Sequence, residues 1–485
     1  MYGFNSKNGA FGPTAWRRSR LFLTALFCSV MIACGSTGVA RSPVASGSHA
    51  SDSGPLDRQK LAQDVRAAFT HAWDGYKKYA WGYDELKPLS KSGYNWYSRS
   101  LYMTPVDAYD TMLLMGLRAD ARDDKALILG NLSFDEDISV QVFEVTIRLL
   151  GGLLSAYELD GDARFLSLAI NLGNRLLPAF DSKTGMPYRY VNLKTGKTDG
   201  DVSNPAEIGT LLLEFGTLSR LSGNPLYYAK AKRAIVELYN RRSPIGLVGS
   251  SINVNSGRWV DTESHIGGGI DSYYEYLLKG SLLFGDAQLH TMWETSIRAV
   301  NRYVADRTAS GLFYGRVDMN SGRLIAPFFG ALEAYFPALL ALDGELVRAA
   351  ELESSCFAIW NLNGLEPEQF NYMTKSVTSP QYILRPEIAE SAYYLYHYTQ
   401  DPKYLQMGRT IFEDIETYCR TGAAFAEIAD VRTMQKQDRM QSFFLAETLK
   451  YLYLLFAPAH TLDFRSVIFN TEAHPLSISV EPAAR

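Results

Sequence analysis

Residues 142–160 read VFEVTIRLLGGLLSAYELD, stop at the turn pair Gly161-Asp162, and continue as ARFLSLAINLGNRLL over 163–177. The first segment is apolar around most of a helix, whereas the second carries a single apolar face. The pair therefore reads as an inner helix covered on both sides, followed by an outer helix with a solvent side. The unit recurs. AEIGTLLLEFGTLSRL (206–221), IDSYYEYLLKGSLLF (270–284), FFGALEAYFPALLAL (328–342) and PEIAESAYYLYHY (386–398) are again apolar nearly all round. They end at Gly223-Asn224-Pro225, Gly285-Asp286, Asp343-Gly344 and Asp401-Pro402, markers about 60 residues apart. At that spacing the residues from 58 to 485 of the chain make about seven hairpins. Helices that need cover on both sides favour a closed ring over an open solenoid. The expected fold class is therefore all-α, an (α/α)7 barrel or toroid of helical hairpins, with minor β-hairpins at the rims. HIGGG (265–269), SINVNSGRW (251–259) and the tail 466–479 are candidates for those rim pieces.

The N-terminal stretch has a different character. Arg17, Arg18 and Arg20 precede an apolar run from Leu21 to Ala33, too short for a spanning helix and suited to the core of a signal peptide. Ile32-Ala33-Cys34-Gly35 looks like a lipobox. Residues 1–33 are thus read as a lipoprotein-type signal peptide, Cys34 as the lipidated residue, 34–57 as a Ser/Gly-rich linker, and 58–485 as one domain. The adjacent arginines leave twin-arginine export open beside the general route. The protein is expected to be exported to the periplasm or cell envelope, to meet the membrane only through the lipid at Cys34, and to be a monomer. Only Cys356 and Cys419 lie in the domain, which in an exported protein leaves either a disulfide or two buried thiols. The net charge of −4 supplies no basic field for nucleic acid.

Acidic residues mark where chemistry could sit. Glu144, Glu207, Asp271, Glu333 and Glu387 all fall in the first turn or two of an inner helix. Carboxylates near helix N-termini complement the helix dipole, which accounts for some of them. It does not account for their place inside apolar runs such as VFEVTIR and LRPEIAES, where an ionised group is costly unless it faces a polar cavity. Parallel inner helices would gather them at one mouth of the ring. Paired carboxylates in different environments are what glycosidic cleavage requires. Nucleophile elbows, phosphate-binding glycine loops, HExxH and CxxC are absent, and the seven histidines show no zinc-ligand spacing. His265 and His474 read as hydrogen-bonded structural residues.

At these residues the chain resembles glycoside hydrolase family 47, the class I α-mannosidases. WGYDEL (81–86), TPVDAYDTMLLMGL (104–117), FEVTIRLLGGLLSAY (143–157), DSYYEYLLKG (271–280), LRPEIAES (384–391), SFFLAETLKYLYLLF (442–456) and FNTEAHP (469–475) look like its successive signature blocks. The lipobox makes it a bacterial member, and the resemblance implies an (α/α)7 barrel, cleavage of terminal α-1,2-linked mannose from oligosaccharides or N-glycans with inversion, and a bound Ca²⁺. It makes Glu144 the general acid, with Asp271 as partner or rival, and Glu387 the general base. It makes Thr471, otherwise an unremarkable strand residue, a calcium ligand. It puts Arg385, Glu390, Phe443, Glu447 and Glu472 around the departing mannose, and Arg148 and Glu207 on the leaving-group side. It also implies that Cys356 and Cys419 are a disulfide pair.

Two positions depart from the family pattern. Gly269 stands where processing mannosidases often have an arginine, and Ala331-Leu332 where they have His-Leu; FFGALEAYFPALLAL looks closer to the ER-degradation-enhancing branch. The rival reading is a mannose-glycan-binding, lectin-like protein on the same scaffold with little turnover. A different toroidal carbohydrate enzyme, such as a lyase, would suit the carboxylate mouth without predicting calcium at Thr471.

Overall fold

A computed structural model describes residues 56–478 of the chain. The signal peptide, Cys34 and most of the expected linker lie outside the described residues, as do residues 479–485. Asp57, read above as linker, instead caps the first helix, Arg58–Tyr79, by accepting a hydrogen bond from the Lys60 N–H. Among the described residues no helix is long and apolar enough to cross a membrane.

The turn markers have a local cause. Gly161 and Gly285 adopt φ of 80° and 64°, the left-handed C-cap that ends a helix at little cost only for glycine. The next residue, Asp162 or Asp286, then caps the following helix through its carboxylate. One Gly-Asp pair therefore stops the inner helix and starts the outer one. Inner helices are buried nearly all round: every residue from Asp271 to Ser281 is buried. The outer helix Ala287–Tyr303 buries only Leu289, Met292, Trp293, Ser296, Ile297, Ala299 and Val300, one face at helical spacing.

Seven inner segments, Met103–Leu114, 142–160, 205–222, Asp271–Phe284, 331–342, Glu387–Thr399 and 444–456, follow one another around a ring. The last packs against the first, which closes it. Arg58–Tyr79 packs on Leu449–Phe456 and supplies the seventh outer helix, so the first described helix completes the last pair. The architecture is the expected (α/α)7 barrel. Short antiparallel strand pairs, such as Tyr190–Asn192 with Thr198–Asp199, sit in the connections that lead into the inner helices.

The tail does not decorate a rim. Its strands Val467–Phe469 and Pro475–Ser477 pair as a hairpin that enters the ring. At its base, Ser477 bonds Glu158 and Arg220 near the C-terminal ends of two inner helices. At its tip, Asn470 Nδ2 donates to Ile147 O (2.9 Å) and Glu214 Oε1 (2.8 Å), well inside. The hairpin plugs one end, and the acidic N-terminal turns face the other.

The expected disulfide is not formed. Cys356, within Leu346–Asn363, and Cys419, at the C-cap of Lys403–Tyr418, are free and buried. Burial pushes both thiols well above their ordinary pKa.

Candidate active site

Arg148 organises one wall of the chamber. Its Nε donates to Glu144 Oε2 at 3.0 Å, and its Nη1 reaches Glu472 and, at 3.2 Å, Ser442 Oγ. Both Arg148 and Glu447 stand on single π-turns, Thr146–Leu150 and Phe444–Thr448, a distortion that inner helices tolerate where it aims a functional side chain. The ring of Phe443 lies 5.7 Å from the guanidinium of Arg148 and 5.7 Å from that of Arg385, so it bridges the two walls.

On the second wall Arg385 follows Leu384, whose φ of 67° is strained for a residue with a side chain. Arg385 grips Glu368 with two bonds of 2.9 Å, and its Nη1 stands 3.8 Å from Glu387 Oε1. Glu387 Oε2 is buried and has no hydrogen-bond partner among the described residues. Lys279 pairs with Glu275 and lies 3.6 Å from Glu390, which also accepts from the Tyr451 hydroxyl at 3.2 Å. Glu447 feels the charges of Glu472, Glu387, Glu390 and Arg148, which ties the walls into one space. Asp271, at the first position of its helix, accepts from the Ser272 N–H at 2.8 Å and is felt by Arg385.

The expected residues thus gather, with two at the margin. Glu207 sits beside Glu144 but is occupied by Arg189 (2.8 Å), Gln141 (2.9 Å) and Ser203 (3.1 Å). Glu333 is packed under Gly267, where a Cβ would come 2.2 Å from its Oε1, and feels the charge of Arg316 before that of Glu368 on the second wall. His265 is structural: its Nδ1 accepts from the Gly267 N–H at 3.1 Å, and burial lowers it to about 3, so it stays neutral. Gly269 has φ of 92°, so any side chain there, an arginine included, would be strained on this backbone although space is open. Sequence reasoning missed Glu275, Lys279, Glu368, Asp107 and Trp96, whose ring lies 5.2 Å from the Arg148 guanidinium. Glu275 and Lys279 could have been found, since both interrupt the apolar run DSYYEYLLKG one turn apart.

Burial dominates the electrostatics. It pushes Glu387 up to about 8 against the pull of Arg385, and Asp271 up to about 7 with Glu275 and Glu333 adding to the rise. Glu390, Glu447 and Glu472 are raised as well, first by burial and then by nearby carboxylates: Glu275 for Glu390, Glu472 and Glu387 for Glu447, and Asp107 and Glu144 for Glu472. The chamber therefore holds more carboxyls than its arginines and lysine neutralise. No group of three or more His, Cys, Asp or Glu among the described residues is placed to hold a metal ion. Thr471 offers a different donor set. Its N–H donates to the Tyr276 hydroxyl at 3.3 Å, while its hydroxyl and carbonyl oxygens take no hydrogen bond among the described residues. Two hard oxygens beside a surplus of carboxyls fit a Ca²⁺ ion that completes its shell with water and sugar hydroxyls.

Comparison with known proteins agrees with this fold. Residues 68–478 match Glycosyl hydrolase family 47. The chain is 39% identical over 478 residues to ER degradation-enhancing alpha-mannosidase-like protein 2 of Mus musculus, covering 91% of this chain and 81% of that protein. It is 37% identical over 457 residues to the human mannosyl-oligosaccharide 1,2-alpha-mannosidase IB, covering 87% of this chain and 70% of the relative. Among solved structures, an alpha-1,2-mannosidase from Trichoderma reesei superposes with a TM-score of 0.81 at 30% identity, over 88% of this chain and all of that one.

Proposed function

Because the chain belongs to glycosyl hydrolase family 47 and is a glycoside hydrolase, we propose that it removes terminal α-1,2-linked mannose from oligosaccharides or high-mannose glycans, with inversion and with calcium. The observation that carries this reading is the contrast between acids sharing one chamber. Glu144 is ion-paired with Arg148, whereas Glu387 keeps one buried carboxylate oxygen without a partner. Once the carboxyl is ionised, that oxygen is suited to take a proton from water. Asp271, raised to about 7, has a proton to give near neutral pH and is the first candidate for the general acid. Glu144 is the second, acting through a water.

The remaining side chains hold the sugar. Arg148 and Arg385 offer fixed guanidiniums on either side of Phe443, which gives an apolar ring face against which a mannose can lie. Glu390, Glu447 and Glu472 accept sugar hydroxyls, and Glu207 with Gln141 receives the leaving group. Calcium held by the Thr471 oxygens would orient sugar hydroxyls and water and keep the neighbouring carboxyls ionised. Glu387 in particular must be ionised to act, and Arg385 already pulls it in that direction.

The direct experiment is mannose release from α-1,2-, α-1,3- and α-1,6-mannobiose with and without EDTA. Release from the α-1,2 isomer alone, abolished by EDTA and restored by Ca²⁺, is expected; equal release from all three, or indifference to EDTA, contradicts the reading. The similarity to ER degradation-enhancing alpha-mannosidase-like protein 2 and the small residues Gly269 and Ala331 favour a second reading, a mannose-glycan receptor with little turnover. Glu387→Gln separates them, because an enzyme loses turnover and keeps binding. The Cys34 motif supports a bacterial, exported, lipid-anchored protein; failure of the full chain to incorporate labelled fatty acid at Cys34 would remove the anchor.

A further inference from the structure

A second set of buried charges lies beneath the chamber and joins it through Asp107, whose Oδ2 stands 3.5 Å from Arg148 Nη1 and accepts from the Ser442 hydroxyl. Asp107 and Asp110 stand on Met103–Leu114, Lys450 on Leu449–Phe456, and His474 on the returning arm of the plug hairpin. All four are fully buried. His474 Nδ1 lies 2.7 Å from Asp110 Oδ2, and its Nε2 lies 3.4 Å from Asp107 Oδ1. Lys450 Nζ is 2.7 Å from Asp110 Oδ1 and donates to the Ala473 carbonyl at 2.7 Å. Ser155 adds a bond of 2.8 Å to Asp110 Oδ2. Two acids and two bases balance in a space where any one alone would be costly.

What this cluster holds is the turn at the tip of the plug. Asn470 Oδ1 accepts from the N–H groups of Glu472 (3.0 Å) and His474 (2.8 Å). Ala473 has φ of 57°, a left-handed conformation unfavourable for a residue with a Cβ, and its carbonyl is the one that Lys450 holds. The pair Gly151-Gly152 lets the turn come close: a Cβ on Gly151 would sit 2.6 Å from Asn470 Nδ2, and one on Gly152 3.2 Å from His474 Cε1. Thr471 lies between the two clamped residues, and its N–H to Tyr276 is its one hydrogen bond among the described residues. Its oxygens therefore take their position from the clamp.

We propose that Asp110, His474 and Lys450, together with the Gly151-Gly152 gap, form a seat for the 470–473 turn and are positioning residues for Thr471, setting how tightly the chamber binds a divalent cation. The inference rests on the calcium reading given under Proposed function. It links that affinity to the closure of the ring, because the seat joins the first and last inner helices through the plug.

Isothermal titration of CaCl₂ into the EGTA-stripped full chain tests it, comparing wild type with Asp110→Asn, Lys450→Met and Gly151→Ala. Far-ultraviolet circular dichroism checks folding of each. A rise in Kd of about tenfold or more is expected in every folded variant, including Gly151→Ala, which removes no charge and crowds Asn470 and His474. Folded variants that melt earlier but bind Ca²⁺ within about twofold of wild type would reduce the cluster to a structural role and overturn the proposal. A wild-type chain that takes up no Ca²⁺ would overturn the calcium reading and this proposal with it, and that result precedes any variant.

Discussion

Glu387→Gln is expected to do two opposite things at once. The substitution keeps the shape of the side chain, whose Oε1 stands 3.8 Å from Arg385 and whose Oε2 is buried without a partner. Removing the base should lower kcat by about 10³–10⁴, or roughly 4–5.5 kcal/mol in activation free energy. Stability should move the other way. In the metal-free chain Glu387 is raised from 4.5 to about 8, so between those pH values the folded state binds a proton that the unfolded state has released. Stability then falls as pH rises through that window. At pH 7 the penalty is on the order of 3 kcal/mol, taken as 1.36 kcal/mol per pH unit above 4.5. Glutamine carries no such charge, so calorimetry in EDTA at pH 7 should show the variant melting on the order of 5 °C higher, with a shallower loss of stability from pH 5 to 8. A variant that melts below wild type, or that keeps a tenth or more of its turnover, would refute the assignment of a desolvated catalytic base.

Asp271→Asn and Glu144→Gln separate the candidate acids: the true donor should cost about 10²–10⁴ in kcat on mannobiose, and the loss should shrink for a substrate with an activated leaving group. Alkylation of the denatured, unreduced protein followed by peptide mass spectrometry should find both Cys356 and Cys419 labelled, whereas a disulfide would leave both unlabelled. Gly267→Ala should push its new methyl against Glu333 Oε1 and destabilise the fold by about 1–3 kcal/mol in urea titration.

The ring was legible because its punctuation is local. Gly161-Asp162 and Gly285-Asp286 each combine a left-handed stop with a capping start, and apolar runs between such pairs leave little choice of fold. The acids at the mouth were legible for the same reason, since a charge at a helix start in an apolar run needs a polar cavity. The plug was not. FNTEAHP carries no helical period, and it is long-range bonds, among them Asn470 to Ile147, Arg148 to Glu472 and His474 to Asp110, that bring it into the ring. Lys450 was equally hidden, because a lysine in KYLYLLF reads as a snorkelling surface residue until Asp110 is seen opposite it.

The central claim is that acids of successive hairpins share one chamber and cleave an α-mannosidic bond there with a single displacement. Proton NMR of α-1,2-mannobiose digested by the calcium-loaded protein tests it most directly. The account predicts that β-mannose appears first and then equilibrates to the α anomer. First appearance of α-mannose, or no free mannose over the course of the digest, would contradict it.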